Sequence, residues 1–246
     1  MTPNPISHSA AVVSVALATH NGLRFLPTQL HSILTQLETG DEVVIVDDAS
    51  EDGTWDWILA QTDPRIRAVR HPARRGAIRS FEHALRLADR PIVFLADQDD
   101  LWEPDKRSRY LSAFEADPGC ILVIADSRVI DEDNRVLADS WMHTRGGFAG
   151  SWVQTLLRSR WMGCSMAVRK ELLIRALPIP ECAPMHDMWL GVMASRMGRV
   201  SYLAEPLLRY RRHGSNATPS RSRSIVTALR HRLGLLCCFV TGLARD

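Results

Sequence analysis

The chain has 246 residues, a hydrophobic content of 46%, a charged content of 24% and a formal net charge of +2. These values are typical of a globular protein, and the small net charge by itself gives no case for binding to nucleic acid. The five cysteines include no C-x-x-C pair, which disfavours a disulfide framework or a structural zinc site. Because signal-peptide features and apolar runs of ~20 residues are both missing, we expect a soluble cytoplasmic protein.

The first hundred residues alternate between strand and helix patterns. Apolar strand patterns cover Val12–Ala18, Glu42–Val46 and Ile66–Val69, and a fourth begins at Pro91. Amphipathic helical spacing lies between successive strands. This alternation predicts a parallel sheet with helices on both faces. In such sheets, ligands bind beyond the carboxyl ends of the strands.

Polar residues follow three of these strands. The segments are Thr19–Asn21, Asp47–Asp48 and Asp97–Asp100. Because the carboxyl ends of parallel strands share one edge of a sheet, we predict a single polar site assembled from three loops. No G-x-G-x-x-G pattern follows the first strand, which disfavours a dinucleotide-binding fold of the usual kind.

The strongest local signal is the group of three carboxylates at Asp97, Asp99 and Asp100. Crowded carboxylates are costly unless a cation or strong donors neutralise them. Hard cations such as Mg²⁺ prefer oxygen ligands and often retain substrate phosphates as partners. The alternative is a polar loop whose acids only cap the next helix. For Asp48, a role in binding a ribose or base competes with an Asx turn.

The second half contains further strand patterns and one clear apolar helix. Strands are predicted near residues 121–125, 161–168, 200–203 and 207–210, and a hairpin or an extended excursion is predicted over Ser127–Leu137. Asp187 precedes an apolar helical stretch, where it could be the N-cap or a catalytic base. His213, in an Arg-rich loop, could bind a metal or phosphate or be simply exposed.

Six segments, in this order, resemble the family 2 glycosyltransferases and, among them, the bacterial rhamnosyltransferase-like branch. They are A-T-H-N-G at 18–22, V-D-D-A-S-E-D-G-T at 46–54, F-L-A-D-Q-D-D-L-W at 94–102, G-C-S-M at 163–166, H-D-M-W-L at 186–190 and Y-R-R-H-G-S-N at 210–216. The resemblance implies the α/β fold called GT-A, in which helices flank a central, mostly parallel sheet. It implies one domain over residues 12–220, with a nucleotide-binding half (12–100) and an acceptor half (101–220). Residues 221–246 would form a basic and apolar helical tail.

The resemblance also implies roles for the matched residues. Asp187 would be the general base, and Asp99 would be the main ligand of a Mg²⁺ or Mn²⁺ ion, with His213 as a second ligand. The residues expected to hold the nucleotide are Thr19, Asn21, Asp48, Arg79 and Asp97. The residues expected to shape the sugar and acceptor pocket are Trp102, Gly163, Cys164, His186 and Trp189.

The implied activity is that of an inverting, metal-dependent glycosyltransferase in surface polysaccharide biosynthesis. It would transfer rhamnose from dTDP-rhamnose, or a hexose from a UDP-sugar, to a hydroxyl of a glycan or lipid-linked acceptor. One base and no covalent nucleophile predict inversion. A nucleotidyltransferase is the first alternative, but A-T-H-N-G-L-R lacks its Gly-rich basic loop. A non-catalytic sugar-nucleotide-binding module is the second, and the presence of Asp187 disfavours it.

Four arginines lie close to an apolar stretch in the tail. They are Arg221, Arg223, Arg230 and Arg232, and the apolar run covers Leu233–Val240. Basic residues beside apolar ones favour contact with anionic lipid head groups. We therefore hypothesise peripheral contact with the inner face of the cell membrane.

Overall fold

The computed structural model describes residues 11–148 and 160–214, together with positions 233, 234, 236, 237 and 240. Four parallel strands form the first half, as the alternating sequence pattern predicts. They are β1 (Val13–Thr19), β2 (Glu42–Asp47), β3 (Ile66–Arg70) and β4 (Ile92–Asp97). The connecting helices are α1 (Leu26–Leu34), α2 (Thr54–Leu59) and α3 (Ala77–Leu87).

Further strands of the second half join the same sheet. They are β5 (Leu101–Trp102), β6 (Cys120–Ile130), β7 (Val136–Ala138), β8 (Met166–Arg169) and β9 (Arg199–Arg211). The helices of this half are α4 (Lys106–Ala116), α5 (Trp141–Thr144), α6 (Lys170–Ala176) and α7 (His186–Met197). The strand order is β3-β2-β1-β4-β8-β6-β9-β5, and β7 pairs with β6. Strand β8 runs antiparallel to both β4 and β6, so it joins the parallel half to the mixed half.

The sheet separates two layers of hydrophobic core. Along β1, Val13, Val15 and Leu17 pack on one layer, whereas Ala16 packs on the other, as the period of two in a strand requires. Helices α1 and α4 cover the first layer, and α3, α6 and α7 cover the second. Both faces of the central strands are therefore buried, which is why their sequences are almost continuously apolar.

Strand β9 differs from the sequence prediction, which placed two short strands in this region. It is one strand of 13 residues that pairs in parallel with β6 along most of its length. Its register shifts between two neighbouring pairs, Ala125 with Leu203 and Asp126 with Pro206. The two residues between Leu203 and Pro206 form a β-bulge, and a proline is tolerated within a strand at such a bulge.

The predicted tail falls largely outside the residues that the structure describes. Leu233, Gly234, Leu236, Cys237 and Val240 are helical. Within the described ranges, none of the helices combines the length and apolar character needed to cross a membrane. The boundary between the domain and the tail at residue 220 stays a prediction.

Candidate active site

The ends of β1, β2 and β4 meet at one edge of the sheet, as predicted. In the register, Thr19 lies beside Asp47, and Ala18 lies beside Asp97. Gln98 joins two of these ends, because its Oε1 accepts hydrogen bonds from Thr19 Oγ1 at 2.6 Å and from the backbone N–H of His20 at 2.8 Å. The three polar loops therefore form a single site.

A carboxylate and an imidazole from distant parts of the chain pair at this site. Oδ2 of Asp99 lies 2.6 Å from Nε2 of His213, and both side chains are largely buried. The pairing of β5 with β9 brings them together, because it places Leu101 opposite Arg209. We call Asp99 and His213 the acid–imidazole pair. Both atoms are common ligands of divalent cations.

A second group of ligand atoms lies next to this pair. Asp97, Asp100 and Cys164 each offer an atom within 4.8 Å of the other two. One oxygen of Asp100 accepts a hydrogen bond from the backbone of Arg211, and the other is buried without a hydrogen-bond partner among the described residues. An orphaned carboxylate oxygen in the interior is costly, and a cation would satisfy it.

The carboxylates of this site are crowded enough to perturb one another. Burial, followed by the charges of Asp99 and Asp187, raises the pKa of Asp97 to about 7. Burial and the charges of Asp99 and Asp97 also hold the pKa of Asp100 well above its usual range. Excess negative charge beside oxygen and imidazole ligands fits a hard divalent cation. The residues present are therefore suited to Mg²⁺ or Mn²⁺.

Asp187 lies in the first turn of α7. The N-cap of this helix is Met185, so the alternative in which Asp187 is the N-cap is wrong. Its Oδ1 accepts a hydrogen bond from the backbone N–H of Met188 at 2.7 Å. A Cβ on Gly163 would lie 3.5 Å from the Cβ of Asp187, and the next residue, Cys164, is grouped with Asp97 and Asp100, so Asp187 lies beside the strand-end carboxylates. A helix start holds this side chain in a fixed position.

Asp48 and Asn21 stabilise the loops at the carboxyl ends of β1, β2 and β3. The carboxylate of Asp48 accepts hydrogen bonds from Nδ1 of His71 and from the backbone N–H groups of Arg75 and Gly76, at 2.7 to 2.9 Å. Burial alone would raise the pKa of Asp48, but these hydrogen bonds outweigh it and lower the pKa. Oδ1 of Asn21 accepts from the backbone of Glu51 at 2.8 Å. A nucleoside would meet loops that these side chains already order.

Arg79 interacts with residues on its own side of the sheet. Its Nη1 donates to Oε2 of Glu82 at 2.7 Å and to the main-chain oxygen of Ile179 at 3.2 Å. Burial alone would raise the pKa of Glu82, but hydrogen bonds from Arg86 and then Arg79 lower it. These contacts connect α3 to the segment before α7, and a contact of Arg79 with a nucleotide stays a prediction.

Two of the five residues expected to line the pocket lie in the core. Trp189 is completely buried, and its indole N–H donates to the main-chain oxygen of Ala176 at 2.7 Å. His186 stacks on Phe81 with ring centroids 4.0 Å apart. Both are buried side chains of α7, and a part for them in the wall of the pocket stays a prediction.

The other three residues lie beside the carboxylates. Trp102 packs on Phe94 with ring centroids 5.1 Å apart, and Gly163 and Cys164 form a short 3₁₀ turn. A side chain on Gly163 would meet Nε2 of His186 at 2.7 Å, so only glycine allows the turn to approach α7 this closely. All three are buried, so they shape the site from beneath rather than from an open wall.

The comparisons with known proteins agree with this geometry. Residues 14–175 match the family model described as glycosyl transferase family 2. The chain belongs to this family. A putative teichuronic acid biosynthesis glycosyltransferase of Bacillus subtilis, TuaG, is 28% identical over 81% of this chain and 79% of its own length. An uncharacterized glycosyltransferase of Nostoc is 26% identical over 83% of this chain and 66% of its own length.

Solved structures show the fold of this glycosyltransferase to be GT-A. TarS of Staphylococcus aureus, solved in complex with UDP-GlcNAc, has a TM-score of 0.67 and 18% identity over 95% of this chain and 72% of that chain. The mannosyltransferase PcManGT of Pyrobaculum calidifontis, solved with GDP-Man and Mn²⁺, has a TM-score of 0.64 and is 20% identical. The match covers 97% of this chain and 74% of that chain. The rhamnosyltransferase-like branch stays a prediction.

Three residues of this glycosyltransferase site were missed by the sequence reasoning. Gln98 accepts a hydrogen bond from Thr19 at the end of β1, and Arg211 donates one to the loop after β4. Nζ of Lys106 is buried and donates to the main-chain oxygen of Cys164 at 2.8 Å. Burial lowers the pKa of Lys106 to about 8. Lys106 is one of only two lysines in an Arg-rich chain, and that rarity was the one available signal.

His186 makes the stability of this glycosyltransferase depend on pH. Burial lowers the pKa of His186 to about 3, and neither ring nitrogen has a hydrogen-bond partner in the described part of the chain. An unfolded histidine takes up a proton near pH 6.5, so folding is opposed increasingly as the pH falls below that value. Between pH 7 and pH 5, we expect this residue to cost about 2 kcal/mol of stability.

Urea denaturation of the wild type and of His186→Leu at both pH values measures this cost. The leucine variant cannot titrate, so it should lose less stability on acidification than the wild type. Equal losses for the two proteins would show that His186 is not held neutral in the fold.

Proposed function

We propose that the chain is an inverting, metal-dependent glycosyltransferase that acts on a hydroxyl of a glycan or lipid-linked acceptor. The observation that carries this proposal is the convergence of the acid–imidazole pair with Asp187 at one edge of the sheet. Cation ligands and a separate carboxylate are the groups that transfer from a nucleoside diphosphate requires. Surface polysaccharide biosynthesis is supported by relatives such as TuaG.

Asp99 and His213 would hold the divalent cation. When bound, the cation supplies positive charge at the leaving diphosphate, where negative charge grows in the transition state. Asp187 would accept the proton of the acceptor hydroxyl as that oxygen bonds to the anomeric carbon. A carboxylate is a weak base toward a free alcohol, but the hydroxyl acidifies as it bonds to an electron-poor carbon. Direct attack without a covalent intermediate inverts the anomeric configuration.

The donor is a nucleotide-activated sugar, with UDP-hexoses and dTDP-rhamnose as the first candidates. A 30% identical relative of Escherichia coli is named as a UDP-Glc:α-D-GlcNAc-diphosphoundecaprenol β-1,3-glucosyltransferase, although the match covers 43% of this chain and 42% of that protein. The solved neighbours were crystallised with UDP-GlcNAc and GDP-Man. These names support a sugar linked to a nucleoside diphosphate, and the acceptor of the relative supports a polyprenyl-diphosphate glycan.

A donor screen tests the proposal. The full chain is incubated with UDP-Glc, UDP-GlcNAc, dTDP-rhamnose or GDP-mannose, a short-chain analogue of a lipid-diphosphate GlcNAc acceptor, and Mn²⁺, Mg²⁺ or EDTA. We expect release of nucleoside diphosphate from one donor, dependent on the cation and the acceptor. NMR of the product should show inversion at the anomeric carbon. A product with retained configuration, or transfer that EDTA leaves unchanged, would contradict the proposal.

We also propose that the tail contacts an anionic membrane surface. The side chains of Leu233, Leu236 and Val240 are between 46% and 64% exposed, and their spacing places them on one face of a helix. Gly234 approaches the main chain of Cys182 so closely that a Cβ would lie 2.6 Å from its oxygen. This helix therefore packs against the segment that leads to α7 and Asp187, and its apolar face is left exposed close to where a lipid-linked acceptor would arrive.

Vesicle flotation tests this contact. We expect the wild type to float with vesicles containing anionic lipid and the double variant Leu236→Ser, Val240→Ser to remain in solution. The matched control is Ile174→Ser, because Ile174 is 72% exposed but lies on α6. Flotation of the control should equal that of the wild type, and equal flotation of all three proteins would reject the contact.

A further inference from the structure

Arg211 joins three segments of the chain beside the acid–imidazole pair. Its Nε donates to the main-chain oxygen of Asp99 at 2.8 Å. Its Nη1 donates to the main-chain oxygens of Asp131 and Glu132, in the turn between β6 and β7, at 3.1 and 3.2 Å. The residue is only 2% exposed, so these hydrogen bonds are shielded from water. Hydrogen bonds from a charged donor are strong in such an environment.

The backbone of the same residue contacts the second group of ligands. The N–H of Arg211 donates to Oδ1 of Asp100 at 2.9 Å. This bond fixes one oxygen of Asp100 and leaves the orphaned oxygen on the other side of the carboxylate. One residue at the end of β9 therefore restrains both the main chain of Asp99 and the side chain of Asp100.

An aromatic ring extends this restraint to the imidazole. The guanidinium carbon of Arg211 lies 4.9 Å from the ring centroid of Phe25, within the range of a cation–π contact. The same ring lies 5.0 Å from the ring of His213 at an angle of 34°. The imidazole therefore has an aromatic neighbour that Arg211 also contacts, together with Arg24, whose guanidinium carbon lies 4.7 Å from the same ring centroid.

We infer that Arg211 is a positioning residue, which holds Asp99 and His213 at the separation that a divalent cation requires. This inference rests on the proposed function. The two ligands are 114 positions apart in the chain, so local backbone geometry alone cannot set their distance. The planar guanidinium donates in fixed directions to two segments and stacks on a ring at the same time. A lysine ammonium at this position would lack both the fixed N–H directions of the guanidinium and its flat face, which packs on the ring.

The inference is tested by titrating the full chain with Mn²⁺ alone. The electron paramagnetic resonance signal of the free ion measures how much Mn²⁺ is bound. We expect Arg211→Met to raise the Kd for Mn²⁺ by ~10-fold or more, as for other residues that orient metal ligands. Arg211→Lys keeps the charge and should still weaken Mn²⁺ binding by ~3-fold or more, because an ammonium cannot donate in the fixed directions of the guanidinium. Arg212→Met is the matched control, since its guanidinium lies 5.9 Å from the ring of Tyr210, and its Kd should match the wild type.

Circular dichroism establishes which variants are folded. A Kd in a folded Arg211 variant equal to that of the wild type would overturn the inference, and Arg211→Lys provides this test if the methionine variant fails to fold. If the wild type itself bound no Mn²⁺, the metal dependence in the proposed function would fail together with the inference. Cation-dependent transfer by the wild type, with unchanged Kd values in the variants, would overturn the inference alone.

Discussion

Asp187→Asn is expected to reduce glycosyl transfer by about 10²- to 10⁴-fold while leaving donor binding intact. Asparagine has nearly the same shape as aspartate but cannot accept the proton of the acceptor hydroxyl. The side chain lies in the first turn of α7, and the amide oxygen of asparagine can still accept the hydrogen bond from Met188, so the fold should be retained. Turnover with the donor identified by the screen, and calorimetric titration with the same donor, measure the two quantities.

Glu181→Gln provides the control for this substitution. Its side chain is 95% exposed and lies a few residues before α7, so the same loss of one negative charge should leave turnover unchanged. A large loss in the control would mean that the net charge of this region, rather than the base, limits transfer. Unchanged turnover in Asp187→Asn would remove Asp187 from the mechanism.

Asp99→Asn is expected to have the second large effect, the loss of cation binding. The substitution removes a charged ligand and leaves His213 without its 2.6 Å partner. Because even indirect supports of metal ligands contribute ~10- to 100-fold to affinity, loss of the ligand itself should weaken Mn²⁺ binding by more than ~100-fold. Turnover should fall in parallel, since the leaving diphosphate would no longer be neutralised.

Titration of Mn²⁺ into the apoprotein, with Asp89→Asn as the control, checks this result. Asp89 lies just beyond the C-terminal end of α3 with its side chain 69% exposed, so its neutralisation should not alter cation affinity. An Asp99→Asn variant that binds Mn²⁺ as tightly as the wild type would assign the cation to Asp97, Asp100 and Cys164 instead.

The first half of the fold could be predicted from the sequence because its apolar strand patterns are followed directly by polar residues. An apolar run followed at once by acids or amides marks both the strand and the edge where ligands bind. The structure accordingly places the ends of β1, β2 and β4 together, with Thr19, Asp47 and Asp97 at that edge. The hairpin expected over Ser127–Leu137 is also present, as the antiparallel pairing of β6 with β7.

The second half was harder to predict because its strands depend on partners far along the chain. The Ala204–Pro206 segment resembles a loop, since a charge and a proline interrupt the apolar pattern, yet pairing with β6 carries one strand through it. Tertiary pairing overrides local preference in such a segment. No local pattern in the sequence indicates that a bulge will be tolerated there.

The buried positions of His186 and Trp189 could also be examined from the sequence. Their closeness to Asp187 in the sequence suggested a shared role in the pocket. In a helix, however, positions three and four apart share a face, whereas adjacent positions do not. His186, Trp189, Leu190 and Met193 therefore face the core, and Asp187 faces the site. The helical period therefore distinguishes Asp187 from these two neighbours, and the roles of all three residues stay predictions.

The long separation between Asp99 and His213 has a consequence for biosynthesis of the enzyme. The residues that we predict to contact the nucleoside all precede residue 100, so the ribosome delivers that half of the sheet first. The imidazole arrives only with the end of β9, after more than a hundred further residues. Closing a loop of this length has an entropic cost that long-range packing must offset. If the proposed roles hold, a nascent chain forms the edge for the nucleotide early, but it can bind the cation only once its last strand has docked.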